Sequence, residues 1–573
     1  MTRQSVMPSH ECWRFGPFEL DVEEGLLRQG SESVRLPHKP LALLRYLLER
    51  RGRTVPRAEL LEAIWPGVTV SDAAFESVVR DLRRLLGDSG MEPRVIATIR
   101  GRGLHVIPPV ERSQAKQHQV VSGEEEPWSD VVHRLEQALT ALDHVETSRG
   151  QRSAGSVDSM TRGRTELLVL LARARWAFGS TAPAREAFRE AAKAARRLDD
   201  PEILVQAALG FAGRSDVSMG RLPEAMDFLE EALEALGDGP PGLRAELLAR
   251  AGTEAAQRQE PTRAGSMTLE ALRLAEASAD ASVVAYALTA RHFVLQCAHV
   301  DPAERQPLAE RAVALVEGLE ASDVLVLALQ ERLLDALESG DGPGFEAARL
   351  RHDAASRALG QPFFRWLQLV FAGTRACLLG GLEEAERLAH AALEQGQAVG
   401  TNNAIPAFAA QLFAIRQQQE RLPELVDLLR AQSQDAPEIP IFRAALVNAV
   451  SAAESPDATA LLRDVFSQRL ADFTQDSSWL GVLSLLAPAV SRHGEPEQAR
   501  ILVNLFSRHA GRIVVVGFGA SVLGSVNHHL GVLHGVLGER DAALAALRAA
   551  GAEHARLGCE YWMERTERRS AAI

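Results

Sequence analysis

Hydrophobic and polar residues follow two different periods in the first part of the chain. Short stretches of alternating apolar and polar residues, separated by turn residues, occupy residues 13–36 and predict a small antiparallel sheet. Leucines then recur at helical spacing over residues 41–48, and Gly52 ends that pattern, which predicts a helix. The stretch "VPRAELLEAIWPG" predicts a second helix, since prolines mark its start and its end.

A third helix and a hairpin are expected next. The helix begins at Ser71 or Asp72, which are both favourable N-cap residues, and ends at Gly87. Its buried side is predicted to consist of Phe75, Val78, Val79, Leu82, Leu85 and Leu86. The stretch "VIATIRGRGLHVI" predicts two strands and a turn, in which Gly101 and Gly103 permit backbone angles that other residues avoid.

The chain is acidic overall, but its acidity belongs to the part after residue 112. The formal net charge is −13 over 573 residues. Residues 1–112 carry 17 basic and 15 acidic residues, whereas the remainder carries 46 basic and 61 acidic ones. The long acidic part is a poor partner for a polyanion, but the nearly neutral N-terminal part, with its grouped arginines, could bind one.

Three stretches of the N-terminal part resemble the winged-helix effector domain of OmpR/PhoB-type transcription regulators. They are "LPHKPLALLRYLLERRGRTVPRAELLEAIW", "VSDAAFESVVRDLRRLLGD" and "VIATIRGRGLHVI". The family ends on a pattern close to I-x-T-V-R-G-x-G-Y-x-F, from which residues 96–106 depart most at Leu104 and Val106. The resemblance implies a module that binds double-stranded DNA, with its third helix in the major groove and its hairpin at a neighbouring minor groove.

The exposed face of the third helix supplies five candidate DNA-binding residues. Arg80, Arg83 and Arg84 are expected to meet phosphates or guanine edges. Ser77 and Asp81 share that face, and Asp81 stands where some relatives carry a base-reading arginine. A carboxylate repels phosphate but accepts a hydrogen bond from cytosine N4, so a different base preference is expected. The alternative for these charges is a solvated helix face.

Four further candidates come from the hairpin and from the end of the second helix. The resemblance places Arg100 at a minor groove, whose narrow A·T-rich form attracts arginine, and Thr98 at the DNA backbone. Arg102 adds a positive charge beside them. Trp65 is either a core residue or one whose indole N–H contacts the DNA backbone. The hairpin, arriving at the right distance after the helix, favours DNA binding over a merely solvated face.

From residue 164 onward the chain is rich in helix-forming residues and repeats a motif. A glycine is followed by alanine five residues later, by alanine or a bulky apolar residue nine later, and by alanine twelve later; copies start at Gly179, Gly220, Gly380 and Gly538, with a weaker one at Gly494. The motif resembles the second half of the tetratricopeptide repeat, in which stacked helix pairs bury their apolar faces. The early aromatic residue is mostly absent and the spacing is irregular, so an irregular helical bundle is the alternative.

The other motifs do not indicate an enzyme or a membrane protein. The stretch "RIVVVGFGASVLGS" lacks the features of a phosphate-binding or dinucleotide-binding loop, so a glycine-packed helix start is expected there. His528, His529 and His534 fit no standard zinc spacing, and the four cysteines form no CxxC pair. No catalytic residue, cofactor, metal site or membrane span is therefore expected, the last because no run of about 18 apolar residues occurs.

These patterns predict a multidomain, cytoplasmic, bacterial-type protein. Residues 1–12 are expected to be disordered, 13–110 to form a winged helix-turn-helix domain of the α+β class, 111–163 to be a linker with one helix, and 164–573 to form a tetratricopeptide-like α-solenoid. The array also resembles the C-terminal helical arrays of large bacterial regulatory ATPases, although no NTPase domain and no receiver domain is expected here.

The expected function is transcriptional regulation, with double-stranded DNA bound by the winged helix. The array would act as a sensor or docking module for a protein, peptide or small-ligand effector, and its acidity favours basic partners. One alternative is an interaction scaffold that does not bind DNA, and a second is an enzyme with an unrecognised site in the array.

Replacing Arg100 by alanine tests the hairpin assignment. Arg100→Ala should weaken DNA binding, and the loss should be greater for sites with A·T-rich flanks, because narrow minor grooves attract arginine most strongly. Fluorescence anisotropy with duplexes that differ only in their flanks measures this. Equal affinity of the variant and the original protein for every flank would contradict the assignment.

Overall fold

The computed structural model describes residues 11–573 except 17, 22–25, 30–31, 36–37, 51–52, 65–74, 76–77, 81, 84–85, 87, 89–92, 94, 100–101, 109, 115–126, 149–153, 214–221, 320–321, 438, 468–469 and 471–476. The chain divides into two compact units, Met1–Gly123 and Glu124–Ile573. Of the twelve residues predicted to be disordered, 1–10 lie outside the described residues, whereas Glu11 and Cys12 begin a strand.

The first unit combines a sheet, three helices and a hairpin, as predicted. Its elements are β1 (Glu11–Phe15), β2 (Phe18–Asp21), β3 (Leu26–Gln29), β4 (Glu32–Arg35), α1 (His38–Glu49), α2 (Arg57–Ile64), α3 (helical at the described residues between 75 and 83), β5 (Ile96–Ile99), β6 (Gly103–Val106) and β7 (Val110–Gln114). The antiparallel sheet has the order β4-β3-β2-β1-β7, and β5 pairs with β6.

One apolar core joins the helices and the sheet of this unit. Four residues predicted for the buried side of α3 and its end, Phe75, Val79, Leu82 and Leu86, are buried, together with the four central leucines of α1. The predicted stripe is confirmed at these positions, while Leu85 lies outside the described residues. Because one side of α3 is fixed in the core, the opposite side is left for contacts with a partner.

The prediction that a linker begins at residue 111 is wrong. Residues 111–114 belong to β7, which pairs antiparallel with β1 from Glu11↔Gln114 to Phe15↔Val110. The polar composition of this stretch indicated a loop, but an edge strand needs only backbone hydrogen bonds, and the free edge of β1 provides them. The strand therefore extends the unit beyond the predicted end at residue 110.

The hairpin is held to the rest of the unit by a backbone bridge. The Val55 N–H donates to the Leu104 carbonyl at 2.8 Å, and the Leu104 N–H donates to the Val55 carbonyl at 3.0 Å. Gly103, the residue before Leu104, has φ +128°, and a Cβ at this position would lie 1.9 Å from the Val55 carbonyl oxygen. The prediction of a glycine-specific conformation is confirmed at Gly103, whereas Gly101 lies outside the described residues.

The second unit is built almost entirely of helices. They are α4 (Pro127–Ser148), α5 (Ala154–Ala177), α6 (Thr181–Leu198), α7 (Pro201–Ala212), α8 (Pro223–Leu236), α9 (Pro241–Gln257), α10 (Pro261–Ser278), α11 (Ala281–Cys297), α12 (Pro302–Val316), α13 (Asp323–Glu338), α14 (Gly342–Leu359), α15 (Pro362–Leu378), α16 (Leu382–Ala398), α17 (Ala404–Gln418), α18 (Val426–Asp435), α19 (Pro440–Ala452), α20 (Asp457–Ser467), α21 (Trp479–His493), α22 (Pro496–Phe506), α23 (Val526–Val536), α24 (Arg540–Leu557) and α25 (Glu560–Ala571). Short 3₁₀ helices occupy Leu422–Leu425 and Ser507–His509.

The helix predicted within the linker is α4, and it belongs to the array. Leu139 is buried in the same apolar cluster as Leu168 of α5, and Val132 and Leu135 pack against that cluster. The helix α5 also begins at Ala154, ten residues before the array was predicted to start. An amphipathic helix needs a surface on which to bury its apolar face, and α5 provides one.

The repeated motif marks the contacts between successive helices, as a tetratricopeptide-like array requires. Its small and bulky positions are at most 2% exposed in the four main copies: Ala184, Phe188, Ala191, Ala225, Leu229, Ala232, Ala385, Ala389, Ala392, Ala543, Leu547 and Ala550. Glycine is needed where helices approach most closely, since a Cβ on Gly531 would lie 2.5 Å from Leu547 Cγ. Tetratricopeptide-like stacking is therefore confirmed, and the irregular bundle is not.

The glycine-rich stretch at residues 512–525 was predicted to start a helix, and that prediction is wrong. It forms an antiparallel hairpin of β8 (Ile513–Val516) and β9 (Ser521–Ser525). The β-branched run from Ile513 to Val516 favours a strand, and Gly517, Phe518 and Gly519 all have positive φ in the turn. The array is thus interrupted by one small sheet.

This hairpin lies inside the array. The ring of Phe518 stacks on that of Phe293 in α11, with centroids 6.1 Å apart. Thr374 Oγ1 of α15 donates to the Gly519 carbonyl at 2.7 Å. The array also folds back on itself, because Thr181 Oγ1 donates to the Val399 carbonyl at 3.2 Å across 218 residues. The interior of the array is therefore partly filled by its own chain.

A buried ion network fixes the hairpin to the neighbouring helices. Arg305 of α12 is fully buried and pairs with Asp335 and Glu338 of α13, each at 2.7 Å. Arg512, next to β8, also pairs with Glu338 and donates to the His299 carbonyl at 2.8 Å. The network continues from Asp335 to His292 of α11, at 2.9 Å, and from His292 to Glu331, at 2.8 Å. It contains three basic and three acidic side chains.

The network predicts a loss of stability at alkaline pH. Burial alone would lower the pKa of His292, but Glu331 and Asp335 outweigh it and raise the pKa to about 9, from an ordinary 6.5. The protonated imidazole should therefore stabilise the fold below about pH 6.5, and this contribution, about 3 kcal/mol, should disappear as the pH rises through 9. The urea concentration at the unfolding midpoint of the full chain should therefore be lower at pH 9.5 than at pH 6.5. In His292→Gln the fall should be much smaller, and an equal fall in both proteins would contradict the assignment.

A second prediction concerns the turn at Gly103. Gly103→Ala should loosen the hairpin, because the new Cβ meets the Val55 carbonyl and the positive φ alone costs about 1–2 kcal/mol. Hydrogen exchange of peptides spanning residues 95–107 should become faster. The matched control is Gly237→Ala, where φ is +53° but no atom lies within 4 Å of the added Cβ. If exchange in residues 95–107 stayed unchanged in Gly103→Ala, the close approach would be disproved.

Candidate nucleic-acid interface

A concave surface of the first unit brings the basic residues of three elements together. It lies between α2, α3 and the β5–β6 hairpin, and its charged residues are Arg57, Arg80, Arg83, Arg102 and Asp88. Four guanidinium groups against one carboxylate make this surface basic in a unit that is nearly neutral overall. It is therefore the candidate site among the described residues.

Arg83 and Thr98, both predicted to contact DNA, are hydrogen-bonded to each other. Arg83 Nη2 donates to Thr98 Oγ1 at 2.8 Å and to the Ile96 carbonyl at 3.0 Å. Arg83 is half-buried, whereas the Thr98 side chain is exposed. The guanidinium thus connects α3 to β5 and fixes the angle between helix and hairpin, which the sequence pattern did not indicate. Contact of either side chain with DNA stays a prediction.

Arg80 and Arg102 are the exposed cations of this surface. Both side chains are open to solvent, and no carboxylate among the described residues forms an ion pair with either. Arg80 belongs to α3, opposite the buried Val79, and Arg102 belongs to the hairpin turn, where its N–H donates to the Ile99 carbonyl at 2.9 Å. Exposed guanidinium groups without an internal partner are suited to contacts with phosphate.

Asp88 is a structural residue of the site that sequence reasoning missed. Its Oδ2 accepts hydrogen bonds from the backbone N–H groups of Val95, at 3.1 Å, and Ile96, at 2.8 Å. The carboxylate therefore ties the chain after α3 to the start of the hairpin. The signal was present in the sequence, because an aspartate just after a helix that ends in glycine often binds nearby backbone N–H groups.

Arg57 is a second residue that sequence reasoning missed. It is the first residue of α2, and its guanidinium carbon lies 4.8 Å from the centroid of the Phe75 ring in α3. Lys39 of α1 donates to the Ile64 carbonyl at the end of α2, at 2.8 Å. In helix-turn-helix proteins the helix before the recognition helix crosses the DNA backbone, so a basic residue in its first turn was a usable signal.

The structure does not describe the other five residues that were predicted to bind DNA. Trp65, Ser77, Asp81, Arg84 and Arg100 all lie outside the described residues. Their assignment as DNA-binding residues stays a prediction from the sequence.

Neither a metal-ion cluster nor a membrane-spanning helix occurs in the described part of the chain. Three or more histidine, cysteine, aspartate or glutamate side chains are nowhere grouped there so that they could hold a metal ion. Among the same residues, every helix is too short or too polar to cross a membrane. Of the histidines considered for metal binding, His528 and His529 are buried and His534 is 20% exposed.

Comparison with known proteins identifies the family of the domain in the N-terminal unit. Residues 30–105 match the family model of the transcriptional regulatory protein C-terminal domain. The chain is 33% identical over 89 residues to the sensory transduction protein RegX3 of Mycolicibacterium smegmatis. The aligned region covers 15% of this chain and 39% of RegX3. The chain therefore spans less than half of the length of this relative.

Solved structures resemble each unit in turn. The DNA-binding domain of E. coli CadC aligns over 18% of this chain and 100% of its own length, with 20% identity and a TM-score of 0.17. A Rap protein complexed with competence and sporulation factor aligns over 51% of this chain and 96% of its own, with 12% identity and a TM-score of 0.33. From the family match and the geometry above, residues 30–105 are a winged-helix domain of the OmpR/PhoB type, and a tetratricopeptide-like helical array follows it in the same chain.

Proposed function

We propose that this protein is a transcription regulator that binds double-stranded DNA through its N-terminal unit and receives a signal through its helical array. The observation that carries the proposal is the basic concave surface formed by α2, α3 and the hairpin, within a domain of the OmpR/PhoB type. The major groove of B-DNA, about 12 Å wide, admits a single helix. In α3 one side is buried and Arg80 lies on the other, as this mode of binding requires.

The hydrogen bonds of Arg83 and Asp88 support binding to two grooves at once. Arg83 connects α3 to Thr98 and Ile96, and Asp88 connects the end of α3 to the same strand. A helix and a hairpin that are fixed relative to each other need no further ordering when they dock on a rigid duplex, which reduces the entropy lost on binding. Arg100, which the sequence places in the turn, and Arg102 would then lie together beside the second groove.

The array is proposed as the part that receives the signal. Between the β8–β9 hairpin and helices α17, α19 and α21 lies a cavity of about 110 Å³. Its walls are mostly apolar, with Phe413, Ile441 and Phe518 among them, and Glu338 and Arg512 of the buried network at one side. This volume is comparable to cavities of about 150 Å³ that hold one benzene ring. A small ligand fits the cavity better than a long peptide, because the hairpin already occupies part of the interior.

Two alternatives compete with this proposal. A scaffold that does not bind DNA would leave Arg80 and Arg102 without a function, although their exposure and their place beside α3 suit phosphate contacts. An enzyme would need reacting groups in an accessible cleft, and the cavity beside Arg512 offers chiefly apolar side chains. We therefore propose a non-enzymatic role, in the cytoplasm where a transcription regulator meets DNA.

Salt dependence of DNA binding tests the proposal. The full-length protein should bind a 30-base-pair duplex of mixed sequence with an affinity that falls steeply as the salt concentration rises, because phosphate contacts release counterions. Arg80→Ala should weaken binding and reduce the slope of log K against log salt by about 1, the value for one phosphate contact. Fluorescence anisotropy at several salt concentrations measures both.

The matched control is Arg387→Ala, which removes the same charge from the array. Arg387 is exposed and pairs with Glu384 at 2.6 Å. The Arg387→Ala variant should therefore bind DNA with unchanged affinity. No binding at low salt, or an affinity independent of salt, would end the DNA proposal. Equal effects of the two variants would show that net charge, and not the surface beside α3, governs binding.

A further inference from the structure

Four arginines surround a pocket near the C-terminal end of the array. Arg492 at the end of α21 and Arg565, Arg568 and Arg569 of α25 line a cavity of about 300 Å³, which α23 closes on a third side through His528 and His529. Arg492 and Arg568 are exposed, and Arg565 and Arg569 are half-buried. This concentration of positive charge occurs in the part of the chain that carries the excess of acidic residues.

Three of these arginines lack the carboxylate partners that are common elsewhere in the array. Arg196 and Arg416, for example, pair with Glu231 and Glu386 at 2.5 and 2.6 Å. Among the described residues no carboxylate forms an ion pair with Arg492, Arg565 or Arg569. They donate instead to neutral hydroxyl groups: Arg492 Nη1 to Ser451 Oγ at 3.5 Å, Arg565 Nη1 to Tyr561 Oη at 2.8 Å, and Arg569 Nη2 to Ser491 Oγ at 3.1 Å.

The remaining charges near the pocket do not neutralise it. Arg568 lies 3.8 Å from Glu420 and 4.0 Å from Glu564, but both pairs are exposed and too far apart for a hydrogen bond. Glu454 is close enough to raise the pKa of Arg492, and this effect is smaller than the opposing effects of burial and of Arg565. The pocket therefore keeps a positive charge from at least three guanidinium groups.

Burial and, to a smaller extent, mutual repulsion disfavour the charged form of these guanidinium groups. The Arg492 side chain reaches solvent, but its guanidinium lies partly among neighbouring residues; this partial burial, followed by Arg565 and Arg569, lowers the pKa of Arg492, and burial and Arg565 lower the pKa of Arg569. Burial also lowers the pKa of His529 to about 4, so this imidazole is neutral at pH 7 and adds no charge. Arg569 Nε is buried and has no hydrogen-bond acceptor among the described residues. Each of these features would be relieved by an anion in the pocket.

The chemistry of the donors specifies the class of anion. Guanidinium groups present parallel N–H pairs that match the oxygens of a phosphate or carboxylate, and three of them favour an ion with more than one negative charge. The cavity is large enough for more than one phosphate group, and its floor includes the buried Trp562. The arginines border one recess of this size between three helices and do not continue as a long groove, which favours a small molecule over the extended backbone of a nucleic acid.

We infer that the pocket between α21, α23 and α25 is a binding site for a small oxyanion of the phosphate class that carries at least two negative charges. Free inorganic phosphate, pyrophosphate and the phosphoryl group of an organic molecule share this chemistry. The inference stands apart from the proposed function, because anion binding is measured without DNA and without reference to the surface beside α3.

Calorimetric titration of the full-length protein tests the inference. Inorganic phosphate, inorganic pyrophosphate and phenyl phosphate are added separately at constant ionic strength, with sodium chloride as the reference. At least one should bind, and its affinity should fall roughly tenfold or more in Arg565→Gln and in the exposed-site variant Arg492→Gln. If phenyl phosphate binds most tightly of the three, the ligand class is an organic phosphate. If pyrophosphate binds most tightly, the ligand class is a diphosphate. No binding of any of the three would overturn the inference.

A matched control and a ligand-free measurement separate anion recognition from general charge effects. Arg500→Gln removes the same charge from α22, where Arg500 is 57% exposed and lies 3.5 Å from Glu497, and it should bind the anion unchanged. At low ionic strength and without anion, Arg492→Gln should raise the thermal midpoint, because it relieves repulsion, whereas Arg500→Gln should not. Equal loss of binding in the control, or a lowered midpoint in Arg492→Gln, would contradict the site.

Discussion

The fully buried guanidinium of Arg305 is the constraint on which the second unit depends. A buried charge is tolerated only when its partners are complete, and removal of one partner of such a pair typically costs about 3–5 kcal/mol. Asp335 and Glu338 supply those partners, and Glu338 in turn receives Arg512. The carboxylate of Glu338 remains ionised because Arg305 and Arg512 overcome its burial and lower its pKa to about 2. This shared carboxylate is one of the contacts that position the hairpin inside the array.

A hairpin held in this way changes what the array can do. Tetratricopeptide-like arrays offer a concave surface along their stacked helices, but here Phe518 and its neighbours fill part of the interior. The space that remains is a small apolar cavity beside the network, which leaves less room for an extended partner than an open concave surface does. Coupling to the network means that a ligand in the cavity would contact groups that also hold α11, α12 and α13 together.

Arginine serves three physical purposes in this protein. Arg305 and Arg512 are neutralised in the interior, Arg83 joins two elements of the winged helix through neutral acceptors, and Arg80 and Arg102 are left exposed. The arginines around α25 differ from all of these, because they are grouped with one another and three of them form no ion pair with a carboxylate among the described residues. The number of arginines does not distinguish these roles, since each depends on which acceptors lie within about 3 Å.

The sequence by itself determined the elements whose signals are local. The leucine stripe of α1, the apolar side of α3, the glycine turn at Gly103 and the alanine motif of the array were all predicted, because hydrophobic period and backbone freedom depend only on neighbouring residues. The candidate surface could be predicted as far as its exposed arginines. The pairing of Arg83 with Thr98, the strand β7 and the place of the β8–β9 hairpin inside the array were decided only by the tertiary structure. Each of these depends on an acceptor or a strand edge that is remote in sequence, and local patterns carry no information about which distant group will supply it.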